Sequence, residues 1–174
     1  MSRLFVCLWP PDDVVDALCE LHRKDQVGAR FVPPENWHVT LRFLGDADPA
    51  EVAHALEGAD LPPAFVELGP AVDIGDRGTL FVPATGAAEL ARSVVDATRG
   101  LGDAPVRRRF LGHVTLGRVR RGANVPRVLG DLVHASWEPA RASLVESTLR
   151  PTGARYETLR TFPIGRGSTD PDRR

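Results

Sequence analysis

Three observations in the sequence predict an α+β fold with mainly antiparallel sheets, built from a duplicated unit. Strand-length apolar runs are interspersed with helical patterns, the tetrapeptide His-Val-Thr-Leu occurs twice, at His38–Leu41 and His113–Leu116, and the chain closes on a hairpin pattern. Each tetrapeptide is followed by a loop, a proline-opened helical stretch and a further strand, so the repeat is a supersecondary unit and predicts a pseudo-twofold arrangement.

Taken in order, Arg3–Trp9 is a continuous apolar run and reads as a buried first strand. Pro10-Pro11-Asp12-Asp13 stops it and caps a helix through Lys24 whose core face is Val14, Val15, Leu18 and Leu21. A short extended piece at Arg30–Val32 leads through Pro33-Pro34 into the strand of the first repeat. Asp48-Pro49 supplies an N-cap and first helical position for a helix to Leu56. Phe65–Leu68 and Thr79–Val82 read as strands about a Gly75–Gly78 turn, with a helix over Ala87–Arg99. After the second repeat, Arg120–Asn124 forms a loop and Pro126 opens a helix to His134, mirroring Pro49. Ala140–Arg150 and Arg155–Ile164 pair as a hairpin across Pro151-Thr152-Gly153.

The 174 residues, 43% of them hydrophobic, suffice for one core, so residues 1–165 are expected to form a single domain and the polar stretch 166–174 a flexible tail. With 22 basic and 23 acidic residues the net charge is -1, which gives no global field for coating a polyanion; any phosphate recognition must be local. Cys7 and Cys19 fit neither a zinc-ligand spacing nor a disulfide framework. The opening run is too short for a membrane span and lacks a signal-peptide cleavage site. A cytoplasmic monomer without membrane association is expected.

Strand alternation places His38, Thr40 and Arg42 on one face and Val39, Leu41 and Phe43 on the core face; in the second copy His113 and Thr115 oppose Val114 and Leu116. Either His-Thr pair alone is ordinary for a half-buried strand. Brought together by symmetry, two imidazoles with a reference pKa of about 6.5 let one ring act as acid while the other acts as base near neutrality. Two hydroxyls beside them suit the non-bridging oxygens of a phosphate, which points to in-line phosphoester cleavage. Zinc is the rival reading of paired histidines, but no third ligand, HExxH motif or cysteine cluster accompanies them, so no cofactor is expected.

These motifs resemble the paired H-x-T-x signatures of the 2H phosphoesterase superfamily, and the chain is similar to its bacterial and archaeal RNA 2',3'-cyclic phosphodiesterases, also called 2'-5' RNA ligases. The segments "RLFVCLWPP", "VPPENWHVTLRFLGD", "RRFLGHVTLGRV" and "SLVESTLRPTGARYETLRTFPI" carry the resemblance in order, from Arg3 to Gly165. It implies a bilobal fold with two sheets around a central cleft, one H-x-T strand from each lobe. It also implies His38 as proton donor to the leaving 3' oxygen, His113 as proton acceptor from water, and Thr40 and Thr115 on the phosphate. The implied reaction opens an RNA-terminal 2',3'-cyclic phosphate to a 2'-phosphate without metal, and in reverse joins such an end to a 5'-hydroxyl. The family commonly has proline before the second histidine; here Gly112 stands there, which relaxes the backbone that aims His113.

Arg118 matches an arginine often found after the second motif, but strict alternation puts it opposite His113, so a bulge is required for substrate contact. Arg42 and Tyr156 are further substrate-binding candidates. Arg107, Arg108, Arg109, Arg120 and Arg121 are placed to track an RNA backbone, and Trp37, Phe43, Phe81, Phe110 and Tyr156 are candidate stacking platforms. Other readings of the same residues are a phosphodiesterase of small cyclic nucleotides or 2'-5' linked oligonucleotides, and a non-catalytic binder of RNA ends.

Overall fold

A computed structural model describes residues 2–106, 109–151 and 153–165. The first half of the chain contributes β1 (Ser2–Leu8), α1 (Asp12–Cys19), β2 (Ala29–Phe31), β3 (Val39–Gly45) and α2 (Pro49–Glu57). There follow β4 (Val66–Leu68), β5 (Asp73–Ile74), β6 (Thr79–Thr85), α3 (Ala88–Ala97), β7 (His113–Val119), β8 (Ala135–Trp137), β9 (Arg141–Arg150) and β10 (Gly153–Pro163). Among the described residues every strand pairing is antiparallel, and the strands run β10-β9-β1-β3-β7-β6-β4-β8, with β2 added to β7 and β5 to β6. The order is two four-stranded halves, each with its H-x-T strand at the seam. The expected two sheets are therefore joined edge to edge, and a single residue pair, Val39 with Val114, makes the join.

β1 lies between β3 and β9, and a cluster of side chains covers each of its faces, which explains an apolar run without alternation. Leu4, Val6 and Leu8 enter the main core with Val39, Leu41, Val82, Val114 and Leu116 and with the inner faces of the three helices. Phe5 and Cys7 point the other way and make a small second cluster with Val145, against which Trp9 and Tyr156 pack. α2 starts as its sequence dictates, with the Asp48 carboxylate accepting from the Ala50 amide at 2.7 Å and Pro49 at the first turn.

Two expected helices differ. α1 stops at Cys19 instead of Lys24, since the His22 amide is taken by the Asp131 carboxylate at 2.8 Å and does not continue the helical ladder. Pro126–His134 is not a helix. Gly130 sits at φ 86, and the backbone of this stretch bonds to a neighbouring segment, Gly130 N–H to Val72 O, Val72 N–H to Asp131 O and Val133 N–H to Pro70 O. Tertiary backbone pairing replaces the local ladder there, so the mirror of Pro49 is lost in the second half. The expected tail, 166–174, lies outside the described residues.

The pairing register shifts just after the H-x-T in each seam strand, and β3 shifts a second time at Leu44. On β3, Cys7 pairs with Thr40 and Val6 with Arg42, leaving Leu41 as an extra residue; on β7, Phe81 pairs with Thr115 and Leu80 with Gly117, leaving Leu116 extra. Each is a bulge that reverses the facing of the residues beyond it. Arg42, expected beside His38 and Thr40, therefore turns to the helical side and is only 6% exposed. Its guanidinium donates to Val95 O at 3.1 Å, Thr98 O at 2.7 Å, Leu101 O at 3.1 Å and the Thr98 hydroxyl. These acceptors are at and just beyond the C-terminal end of α3, where the helix leaves carbonyls unpaired and the macrodipole favours a cation.

Arg42→Met keeps most of the volume and strands those carbonyls, so a loss of about 2–3 kcal/mol in stability by urea titration is expected. A loss below about 0.5 kcal/mol, the range of an ordinary surface substitution, overturns this account of the arginine.

Candidate active site

His38 immediately precedes β3 and comes after a rigid lead-in. Pro33-Pro34 starts a 3-10 turn closed by the Trp37 amide on Pro34 O, and Asn36 in that turn is tied to Ala154 O by its side-chain amide at 3.3 Å. The ring nitrogen Nδ1 of His38 lies 2.7 Å from Asn36 O, and Nδ1 of His113 lies 2.9 Å from Leu111 O. A backbone carbonyl only accepts, so Nδ1 carries the hydrogen in both rings and Nε2 is the nitrogen left for a reactant. Both halves use the same device, the carbonyl two residues earlier.

Counting outward from the Val39–Val114 pair sets His38 across from Thr115 and Thr40 across from His113. Val39 and Val114 are fully buried, so the four polar side chains share the opposite face. The sequence-predicted quartet is thus brought to one seam. The rings have different surroundings. His38 stacks on Phe5 at 4.9 Å between centroids and meets the edges of Tyr156 at 5.3 Å and Trp9 at 5.5 Å, whereas His113 has Phe81 at 5.5 Å. Burial holds the His38 imidazole below its ordinary pKa; the bond to Asn36 O opposes this, and the charge of His113 lowers it further.

Tyr156 stands beside His38, and its phenol is pushed up chiefly by burial; burial also raises the nearby Cys7 thiol far enough to keep it neutral and unreactive. Arg118 is turned to the His113 face by the Leu116 bulge: it pairs across from Thr79, which lies on the same side as Phe81. Arg42 is not at the seam. Trp37 is buried, with the Arg23 guanidinium 4.6 Å over its ring, and Phe110 packs on the core, so neither is a stacking platform. Phe43, expected in the core, is instead 53% exposed on the site face, where its ring approaches Phe5. Arg107 and Arg108 lie outside the described residues, while Arg109, Arg120 and Arg121 are exposed. Sequence reasoning missed Phe5 and Trp9 as neighbours of His38; an unbroken apolar run does not say which face meets a site.

Gly112 is not slack. A Cβ there falls 2.5 Å from Ala84 O, while Gly112 O accepts from the Ala84 amide at 2.9 Å. The residue before His113 is clamped against the end of β6, and close backbone approach requires glycine at that position. Among the described residues, no group of three or more His, Cys, Asp and Glu side chains is arranged to hold a metal ion, and no helix is long and apolar enough to cross a membrane.

Two half-sheets that each bring an H-x-T strand to a common seam are the architecture of the 2H phosphoesterases. Residues 8–67 match the model of the LigT-like phosphoesterase family. An RNA 2',3'-cyclic phosphodiesterase of Thermus thermophilus is 30% identical over 93% of this chain and 90% of its own length, and one of Aeropyrum pernix is 32% identical over 76% and 85%. A crystal structure of a Thermus thermophilus protein superposes with a TM-score of 0.71 at 29% identity, covering 92% of this chain and 97% of that one. The chain belongs to the LigT-like phosphoesterase family.

Gly112→Ala is expected to lose about 1–3 kcal/mol of stability, as overpacked sites do; an unchanged urea midpoint shows that β6 yields freely. In an NMR titration of the free protein, the His38 ring is expected to titrate below 6.5, and His113→Ala to move its midpoint upward by removing a repelling charge. A His38 midpoint at or above 6.5, or one lowered by His113→Ala, contradicts the environment described.

Proposed function

We propose that this chain hydrolyses RNA-terminal 2',3'-cyclic phosphate to a 2'-phosphate. The observation that carries the reading is the pair of imidazoles on adjoining antiparallel strands, each with Nδ1 held by a carbonyl and, among the described residues, no hydrogen bond at Nε2. The names of the Thermus and Aeropyrum relatives support the substrate class. In this reading His113, neutral, takes a proton from water at Nε2 as the oxygen attacks phosphorus. The bond from phosphorus to the 3' oxygen breaks, and His38, as imidazolium, gives its Nε2 proton to that oxygen. Thr40 and Thr115 donate to the non-bridging oxygens, and Arg118 stabilises the charge that builds there. Tyr156 and Phe43 flank the His38 side, where a terminal base has an aromatic surface to stack on. Run backwards with a 5'-hydroxyl in place of water, the same transfers make a 2'-5' linkage.

The test is an oligoribonucleotide ending in a 2',3'-cyclic phosphate, incubated in excess chelator. Turnover to a 2'-phosphate is expected, with kcat/KM bell-shaped in pH and roughly 10²- to 10⁴-fold losses in kcat for His38→Ala and His113→Ala. A 3'-phosphate product reverses the leaving-group assignment, and loss of turnover in chelator reopens a metal-dependent route. Tight binding without turnover favours an RNA-end binder.

A further inference from the structure

Along the seam strand β7, beyond Thr115, a groove of ≈ 450 Å³ is lined by Arg30, Arg77, Arg118 and Arg120, and the rest of its lining carries no ionisable group. These four come from three separate segments: β2, the turn before β6, and the end of β7. Arg30 and Arg118 stand directly opposite each other in the β2–β7 pairing. Arg77 holds a left-handed backbone, φ 61, in a turn whose other residues avoid that cost or are glycine.

Glycines make the convergence possible. A Cβ at Gly117 would meet Arg30 O at 2.6 Å, so glycine lets β2 lie against β7; a Cβ at Gly78 would meet Val119 O at 2.1 Å, so glycine lets the Arg77 turn press on the end of β7. Among the described residues, no carboxylate is within ion-pair distance of Arg77, Arg118 or Arg120. The fold thus gathers Arg77, Arg118 and Arg120 without neutralising carboxylates among the described residues and at the cost of backbone strain at Arg77, an arrangement suited to an anion.

We propose that this groove is a second phosphate-binding site, occupied by the sugar-phosphate backbone on the 5' side of the reacting end. The proposal rests on the phosphodiesterase reading above. A 2',3'-cyclic phosphate terminates a strand, so every further phosphate of an RNA substrate lies on one side of it. From Thr115 to Arg118 the strand advances about 10 Å, so the groove is within reach of phosphates next in line from a terminus held at the histidines. A cyclic mononucleotide has nothing to place there. The site therefore selects oligonucleotides over mononucleotides, without regard to base, because guanidinium-phosphate contacts carry no sequence information.

The experiment compares kcat/KM for a 2',3'-cyclic mononucleotide and for a hexaribonucleotide with the same end, in wild type, in Arg77→Gln/Arg120→Gln, and in Arg92→Gln/Arg141→Gln, which removes the same charge from exposed positions elsewhere. The groove variant is expected to lose at least roughly fivefold on the hexamer and less than twofold on the mononucleotide, and its salt dependence on the hexamer, log against log, to flatten by about 1.4, or 0.7 for each single-strand phosphate contact removed. The control variant should match wild type. Equal losses in control and groove variants, equal losses on both substrates, or no loss each overturn the proposal. Fluorescence anisotropy with a hexamer ending in a 3'-phosphate separates it from the catalytic reading. If wild type turns over neither substrate, the reading fails, yet selective loss of hexamer binding in the groove variant still supports the groove.

Discussion

The site depends on one antiparallel contact. Val39 and Val114, both fully buried, are the only residues that pair β3 with β7 among the described residues, and they tie the two halves of the sheet together. Because side chains alternate on a strand, fixing this one pair fixes the facing of its neighbours: His38 and Thr40 from one half must share a face with His113 and Thr115 from the other. A slip of one residue would send one histidine-threonine set into the core. Burying both valines excludes that slip, so hydrophobic packing behind the sheet sets the chemistry in front of it.

The two bulges are what the halves have done differently with a common plan. Each comes one residue after its H-x-T, at Leu41 and Leu116, and each reverses the face of the residues beyond. In the first half the residue after the bulge is Arg42, which reaches back to close α3; in the second it is Gly117, whose missing side chain admits β2. One position later the first half presents Phe43 and the second Arg118 on the site face. Aromatic surface gathers on the His38 side and positive charge on the His113 side, which is the asymmetry that the proposed placing of base and phosphates uses.

The fold class, the seam strands and the quartet were legible because they rest on local rules: alternation, a capped helix at Asp48-Pro49, and a motif written twice. The features that were not legible came from contacts between distant segments. The Pro126 stretch has an acceptable helix start, yet its backbone is claimed by Pro70–Val72; Arg42 and Phe43 obey alternation until a bulge, which leaves no mark in composition, exchanges their faces. Gly112 read as slack because a lone glycine does not reveal the Ala84 carbonyl pressed against it. The requirement for a bulge before Arg118 was visible, since a residue suited to phosphate stood on the wrong face by strict count.

The unequal settings of the two rings bear on the acid and base roles proposed for them. His38 rests on Phe5 between Trp9 and Tyr156, and burial there disfavours its charged form, with His113 adding repulsion. Only the bond from Nδ1 to Asn36 O works the other way. If His38 is the acid, as proposed, a phosphodiester anion placed between the rings works against that lowering, because it sets attraction to a negative charge against repulsion from an imidazole. The aromatic bed around His38 excludes the water that would weaken that attraction. Under the proposed mechanism the hydrophobic cluster of Phe5, Cys7 and Val145, which contributes no reacting group, acts on the reaction by setting how strongly the charged form of His38 is disfavoured.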